Sequence, residues 1–207
     1  MKATIQKVLF ISLLNALVIS TSCISSAQPN KKPTPSSLGW QSNPAYSRQL
    51  ASAVNVDGYY VKPPVGFTLR KKQLTDDKNL EYQYDWRGPA GPDGTTPRFV
   101  MAVFKALPGV TQGNAKDWLN TGLDAMSRNK WHYIHTDIEN GSVNGMDFVR
   151  AYWKRDPNDP DEGKRFHGFQ YQYVQGAIAI TIIGNDVEPH YKSTLDLMEA
   201  AALTFHK

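Results

Sequence analysis

Aromatic and basic side chains alternate with apolar ones around position 150, and their pattern is the one most suggestive of chemistry. Strand periodicity places four of them on one face: Phe148, Arg150, Tyr152 and Lys154. Pairing across the preceding hairpin adds Tyr133 and His135 to this face. Rings and charge together can bind an anionic or sugar-like ligand, so Tyr133, Phe148, Arg150 and Tyr152 are our candidate ligand-binding residues. The alternative is that a helix covers this face and the long side chains lie along it.

The sequence shows no catalytic residues, no cofactor motif and no metal site by spacing. There is no serine elbow, no glycine-rich phosphate loop and no His-Glu-x-x-His pair. His132 and His135 lie three residues apart on a predicted strand, so they point to opposite faces. We expect His167 to be a partly buried structural histidine.

The segment 156–163 is the best cation candidate. Its carboxylates and amide could supply the oxygen ligands that calcium requires. The spacing does not fit an EF-hand, however, and Pro157 and Pro160 stiffen the loop. A plain acidic turn is the favoured interpretation.

The charge pattern argues against a nucleic-acid partner. The net charge is +4, but Lys2 and Lys7 contribute to it from a predicted leader. The rest of the chain is nearly neutral and has no clustered basic surface of the kind that binds phosphates.

Residues 1–27 have the features of a secretory signal peptide. Two lysines precede the apolar stretch 8–19, which is shorter than the roughly 20 residues needed to span a membrane. Cleavage after Ala27 is favoured, because small residues stand at the required positions. The alternative is lipidation of Cys23, although its box has Ser20 where an aliphatic residue is expected. We therefore predict export to the periplasm or the medium. The alternative is a protein anchored to the cell envelope by a lipid on Cys23, and contact with a membrane is expected only through that anchor.

The proline-rich segment 28–44 is predicted to be a disordered tether, followed by a single domain over 45–207. Its composition implies that a chain starting near Ser42 keeps its stability. Trp40 is the exception, since a lone aromatic side chain in a tether can dock on the domain.

Period-two patterns predict strands, and period 3.6 predicts two helices. Asn114 is the expected cap of a helix reaching about Asn129, and Asn185 or Asp186 the cap of the last helix. Hairpin turns are predicted at Asn144-Gly145 and Gln175-Gly176. The first places Ile134, Ile138, Val149, Ala151 and Trp153 on one face. The second places Phe169, Tyr171 and Tyr173 opposite Ile182, Ile180 and Ile178. The fold class is therefore α+β, a mostly antiparallel meander with helices packed on it.

Three stretches carry a resemblance to a known family. They are the opening phrase Tyr60–Phe67, the Asn144-Gly145 hairpin after the first helix, and the closing run from Ala177 to Phe205. Over residues 56–207 the chain resembles the PsbP-like and DcrB-like exported α/β/α sandwich proteins. The resemblance implies a non-enzymatic accessory or binding role. The loops 88–97 and 156–163 depart from the family pattern.

Three hypotheses for function follow. The leading one is an exported, non-catalytic binding or accessory domain whose partner is an unidentified protein or envelope component. The second is an exported hydrolase whose catalytic residues come from separate loops. The third is an envelope structural protein anchored through Cys23.

Overall fold

The computed structural model describes residues 39–73, 82–107, 109–128, 132–156 and 163–207. Their strands are β1 (Val54–Val56), β2 (Tyr59–Val61), β3 (Thr68–Gln73), β4 (Tyr82–Arg87), β5 (Arg98–Lys105), β6 (His132–His135), β7 (Glu139–Val143), β8 (Met146–Asp156), β9 (Phe166–Gln175) and β10 (Ile178–Val187). Their helices are α1 (Pro44–Ser47), α2 (Ala115–Arg128) and α3 (Tyr191–Ala202). The predictions for residues 1–38, which cover the leader, Cys23 and most of the tether, lie outside the described residues, as do those for residues 157–162 of the acidic loop.

One large antiparallel sheet organises the described domain. Its strand order is β3-β4-β5-β10-β9-β8-β6, and β7 also pairs with β8. Each of the two longer helices, α2 and α3, covers one face because its apolar side chains meet those of the strands. On one face α3 packs through Met198, Ala201 and Ala202, and on the other α2 packs through Leu119 and Leu123. The predicted α+β class, a mostly antiparallel sheet with helices on it, is confirmed.

The hairpin turn at Asn144-Gly145 is as predicted. Both residues have positive φ, +48° and +80°, which is the type I′ conformation that Asn-Gly favours. Val143 pairs with Met146. The amide of Asn144 also donates to the carbonyl oxygens of Leu203 and Phe205, so this turn holds the end of α3.

The second hairpin has the predicted faces in a different register. Its turn is Gly176-Ala177, so that Tyr173 pairs with Ile180, Tyr171 with Ile182 and Phe169 with Gly184. The predicted pairs were shifted by two residues. Because side chains alternate with period two, a two-residue shift changes the partners and leaves the faces unchanged.

The predicted register of β6 is wrong. Glu139 pairs with Arg150, but His135 pairs with Trp153, so the segment 136–138 holds one residue more than the strand opposite. This bulge inverts the faces of β6. Tyr133 and His135 therefore lie on the face of Trp153, away from Arg150. Ile134, expected in the core, is 67% exposed.

The predicted N-terminal cap is confirmed for α2 and is wrong for α3. Asn114 caps α2, accepting from the backbone N–H of Asp117 at 2.9 Å. The predicted cap of the last helix is wrong, because β10 continues through both candidates to Val187. The carboxylate of Asp186 instead accepts from the hydroxyl of Thr194 inside α3.

Trp153 is buried on the α2 face, with Arg150 and Lys154 on the other, as the sequence predicted. Trp153→Ala should lower the free energy of unfolding by about 3–5 kcal/mol, since a large buried ring leaves a cavity. Ile134→Ala, on the neighbouring strand, should change it by less than about 0.5 kcal/mol. Urea denaturation of both variants measures the difference. Equal losses would contradict the inverted faces of β6.

Candidate binding cleft

The structure separates the four predicted ligand-binding residues. Phe148, Arg150 and Tyr152 lie on the α3 face, while Tyr133 lies on the opposite face beside Trp153. Phe148 is buried against Phe205 and Tyr173 and is part of the core. The alternative of a helix-covered face therefore holds for Phe148. Only Arg150 and Tyr152 line an opening.

Arg150 is the centre of the polar cluster on this face. Its Nε donates to Glu139 of β7 at 2.9 Å, and its Nη1 donates to the hydroxyl of Tyr171 at 2.9 Å and to Glu199 of α3 at 3.2 Å. The ring of Trp40 lies 4.3 Å from the guanidinium carbon. Burial alone would lower the pKa of Arg150, but the contacts with Tyr171 and Glu139 outweigh it and raise the pKa. Arg150 therefore stays charged.

Glu199 joins α3 to the sheet through a single carboxylate oxygen. Its Oε1 accepts from Arg150, from the hydroxyl of Tyr171 at 2.6 Å and from the hydroxyl of Tyr152. Burial raises the pKa of Tyr152 and of Tyr171 above the usual range, and the hydrogen bond and charge of Glu199 raise both pKa values further. Both tyrosines consequently remain hydrogen-bond donors at neutral pH.

An N-terminal strap, residues 39–47, forms the other side of the site. The backbone N–H of Trp40 donates to the backbone carbonyl of Ser142 at 3.0 Å. The Trp40 ring meets the Tyr171 ring edge-on, with 5.2 Å between the ring centres. A Cβ on Gly141 would come within 2.4 Å of that ring, so the strap can dock only against a glycine. Trp40, in the segment assigned to the disordered tether by composition, is thus packed on the domain, and Asn43 and Pro44 form the start of α1.

The strap and α3 enclose a half-open cleft of about 360 Å³. Tyr46 of α1 bridges the two walls, since its hydroxyl donates to Asp196 at 3.2 Å. Asn43 caps α1 through its side-chain oxygen, which accepts from the N–H of Ala45. The lining side chains are mostly polar: Gln41, Ser42, Asn43, Tyr46, Arg150, Tyr152, Asp196, Glu199, Ala200 and Leu203.

The cleft carries more negative than positive charge. Arg150 lies between the carboxylates of Glu139 and Glu199, and Asp196 adds a third. The positive charge of the Arg150 guanidinium is therefore balanced by carboxylates of the same chain. This disfavours the anionic ligand that the basic residues had suggested, and leaves the sugar-like one.

The other candidates are used structurally. His167 is a partly buried structural histidine, as predicted. Its Nε2 lies 2.7 Å from Glu188 Oε1, and its ring stacks on that of Tyr191 with 3.6 Å between the ring centres. Asp156 of the acidic loop forms ion pairs with Arg165 and Lys154. Among the described residues, no three His, Cys, Asp or Glu side chains are grouped to hold a metal ion. No described helix is long and apolar enough to cross a membrane.

Sequence reasoning missed Glu199, Asp196 and Glu139, and assigned Trp40 no partner. The apolar stripe of the last helix marks its buried side but does not show which neighbouring carboxylate meets the sheet. The only signal for the strap was an aromatic side chain in a polar, proline-rich segment.

Comparison by sequence finds neither a matching family model nor a matching curated protein. Among solved structures, the chain is similar to cyanobacterial PsbP (CyanoP) from Synechocystis sp. PCC 6803, with a TM-score of 0.55 and 13% identity over 76% of this chain and 92% of that one. The comparison with LpqN, involved in cell envelope biogenesis of Mycobacterium tuberculosis, gives a TM-score of 0.47 and 12% identity, and it covers 75% of this chain and 83% of that one. The comparison with a protein from Bacteroides thetaiotaomicron VPI-5482 gives a TM-score of 0.44 and 9% identity, and it covers 72% of this chain and 44% of that one.

The similarity to CyanoP defines a class of fold. The likeness to CyanoP spans nearly the whole of that protein, and at this identity it concerns the fold alone. The chain has the PsbP-like α+β fold, as its resemblance predicted.

Trp40→Ala should lower the free energy of unfolding by about 1–3 kcal/mol, because it removes both a cation–π contact and an edge-to-face ring contact. A chain that begins at Ser42 should lose a similar amount, contrary to the expectation from composition. Thermal and urea unfolding against the full chain measure both changes. Unchanged stability in both would show that the strap is not docked in solution.

Proposed function

We propose that the protein is an exported, non-catalytic binding or accessory domain that holds its ligand in the cleft between the strap and α3. The observation that carries this proposal is the convergence of strap, sheet and helix on one polar opening next to Arg150 and Tyr152. The predicted signal peptide supports export. The PsbP-like fold supports an accessory role by analogy with its family.

Fixed groups surround the opening, which favours binding. Arg150 is held by two carboxylates and a hydroxyl, and Tyr152 by Glu199. Side chains locked in this way lose little conformational entropy when a ligand arrives. A site that accepts a ligand without rearrangement is typical of binding domains.

Export makes a prediction about the mature N-terminus. Intact-mass measurement of the protein purified from its native host should show a chain that starts at Gln28, because small residues precede that position. A chain that starts at a triacylated Cys23 would instead support the envelope-anchored alternative. An unprocessed chain beginning at Met1 would contradict export.

The cleft makes a second prediction in cells. With Asn43 replaced by p-benzoylphenylalanine, irradiation should give a covalent adduct that raises the intact mass of the protein purified from those cells, because position 43 lines the cleft. The same replacement at Asp124, exposed on α2 across the sheet, is the matched control. Adducts at both positions, or at neither, would contradict binding through the cleft.

A further inference from the structure

The hydrogen-bonding groups of the cleft point to the chemistry of its ligand. The two α3 carboxylates are acceptors with spare capacity, since Glu199 Oε2 and Asp196 Oδ1 have no hydrogen-bond partner among the described residues. The strap carries donors that are also free. Among the described residues, no acceptor is found for the side-chain amide N–H groups of Gln41 and Asn43 or for the hydroxyl of Ser42. The strap therefore lines the cleft with free donors, and α3 lines it with free acceptors.

A ligand that satisfies both walls must itself donate and accept at close intervals. A hydroxyl group does both, and several on one ring offer the required density. An apolar ligand would bury these polar groups without hydrogen-bond partners, which is unfavourable. Tyr46 and Tyr152 also line the cleft, and tyrosine rings are a surface against which the C–H face of a sugar ring can pack.

Charge and size narrow the class further. Phosphorylated or carboxylated sugars would meet the excess of carboxylates around Arg150 and Asp196 and be repelled. The volume of about 360 Å³ lies near the lower end of the ~300–1,000 Å³ typical of ligand pockets. The cleft is half open to solvent, so a longer chain can extend out of it.

We propose that the cleft binds a neutral saccharide, either a short oligosaccharide or the end of a glycan chain. This inference rests on the proposed function, because it names the ligand of the same site. The strap supplies the donors and α3 the acceptors, so the bound sugar bridges the two walls.

The test is a titration of the full mature protein, followed by ¹H–¹⁵N NMR. The neutral probes are maltose, cellobiose and N,N′-diacetylchitobiose, and the charged ones are chitobiose, with free amines, and glucose 6-phosphate. At least one neutral probe should shift amides of residues 41–46 and 196–203, and glucose 6-phosphate should shift none of them. Binding by chitobiose alone, weakened by salt, would overturn the proposal, because the cleft would then select a cation.

Asp196→Asn should weaken binding of the active saccharide about tenfold, because a charged acceptor becomes a neutral amide. Asp124→Asn, the same change on α2, should leave the affinity unchanged. Equal effects of the two variants would overturn the assignment of the cleft. No shifts with any neutral probe, together with a cross-linked adduct at position 43, would reject the saccharide and keep the cleft as the site.

Discussion

The ion pair between Arg150 and Glu199 is the interaction on which the rest of the site depends. It brings a guanidinium from the centre of β8 against a carboxylate of α3, and both side chains are about four-fifths buried. Charges at this depth are tolerated only when paired and hydrogen-bonded, and two tyrosine hydroxyls and Glu139 complete the set. Losing either partner would leave the other charge partly buried and uncompensated. The helix, the sheet edge and the strap are consequently held in one arrangement.

The same helix supplies both the core and the cleft. Met198, Ala201 and Ala202 are fully buried against the sheet, while Asp196 and Glu199 lie along the rim. Small side chains let α3 approach the strands closely, which brings Glu199 within reach of Tyr171. The site is therefore not an addition to the fold, because the packing that stabilises the domain also sets the position of its carboxylates.

Local patterns predict the strands and turns, but they cannot predict a bulge. Alternation and the Asn144-Gly145 turn were enough to place Trp153 in the core and Arg150 on the other face. The predicted register of the hairpin at Gly176 was wrong by two residues, but side chains alternate with period two, so the predicted faces were still correct. A single extra residue in 136–138 reversed Tyr133. At this bulge Thr136 Oγ1 accepts from the N–H of Tyr152 in place of a backbone carbonyl. Nothing in the alternation of β6 records that replacement.

The cleft is harder to predict because its members are far apart in the chain. Trp40, Arg150 and Glu199 come from the strap, a central strand and the last helix, and each has an ordinary local sequence. Their meeting is a consequence of topology, since the strap lies on the edge strand β7 beside the strand that carries Arg150, and α3 crosses the same face. Basic residues on a strand suggested an anion site. Once the fold adds Glu139, Glu199 and Asp196, the charge that a ligand meets has the opposite sign. The charge of the cleft is therefore a property of the assembled site, and the fold that the chain shares with CyanoP does not determine it.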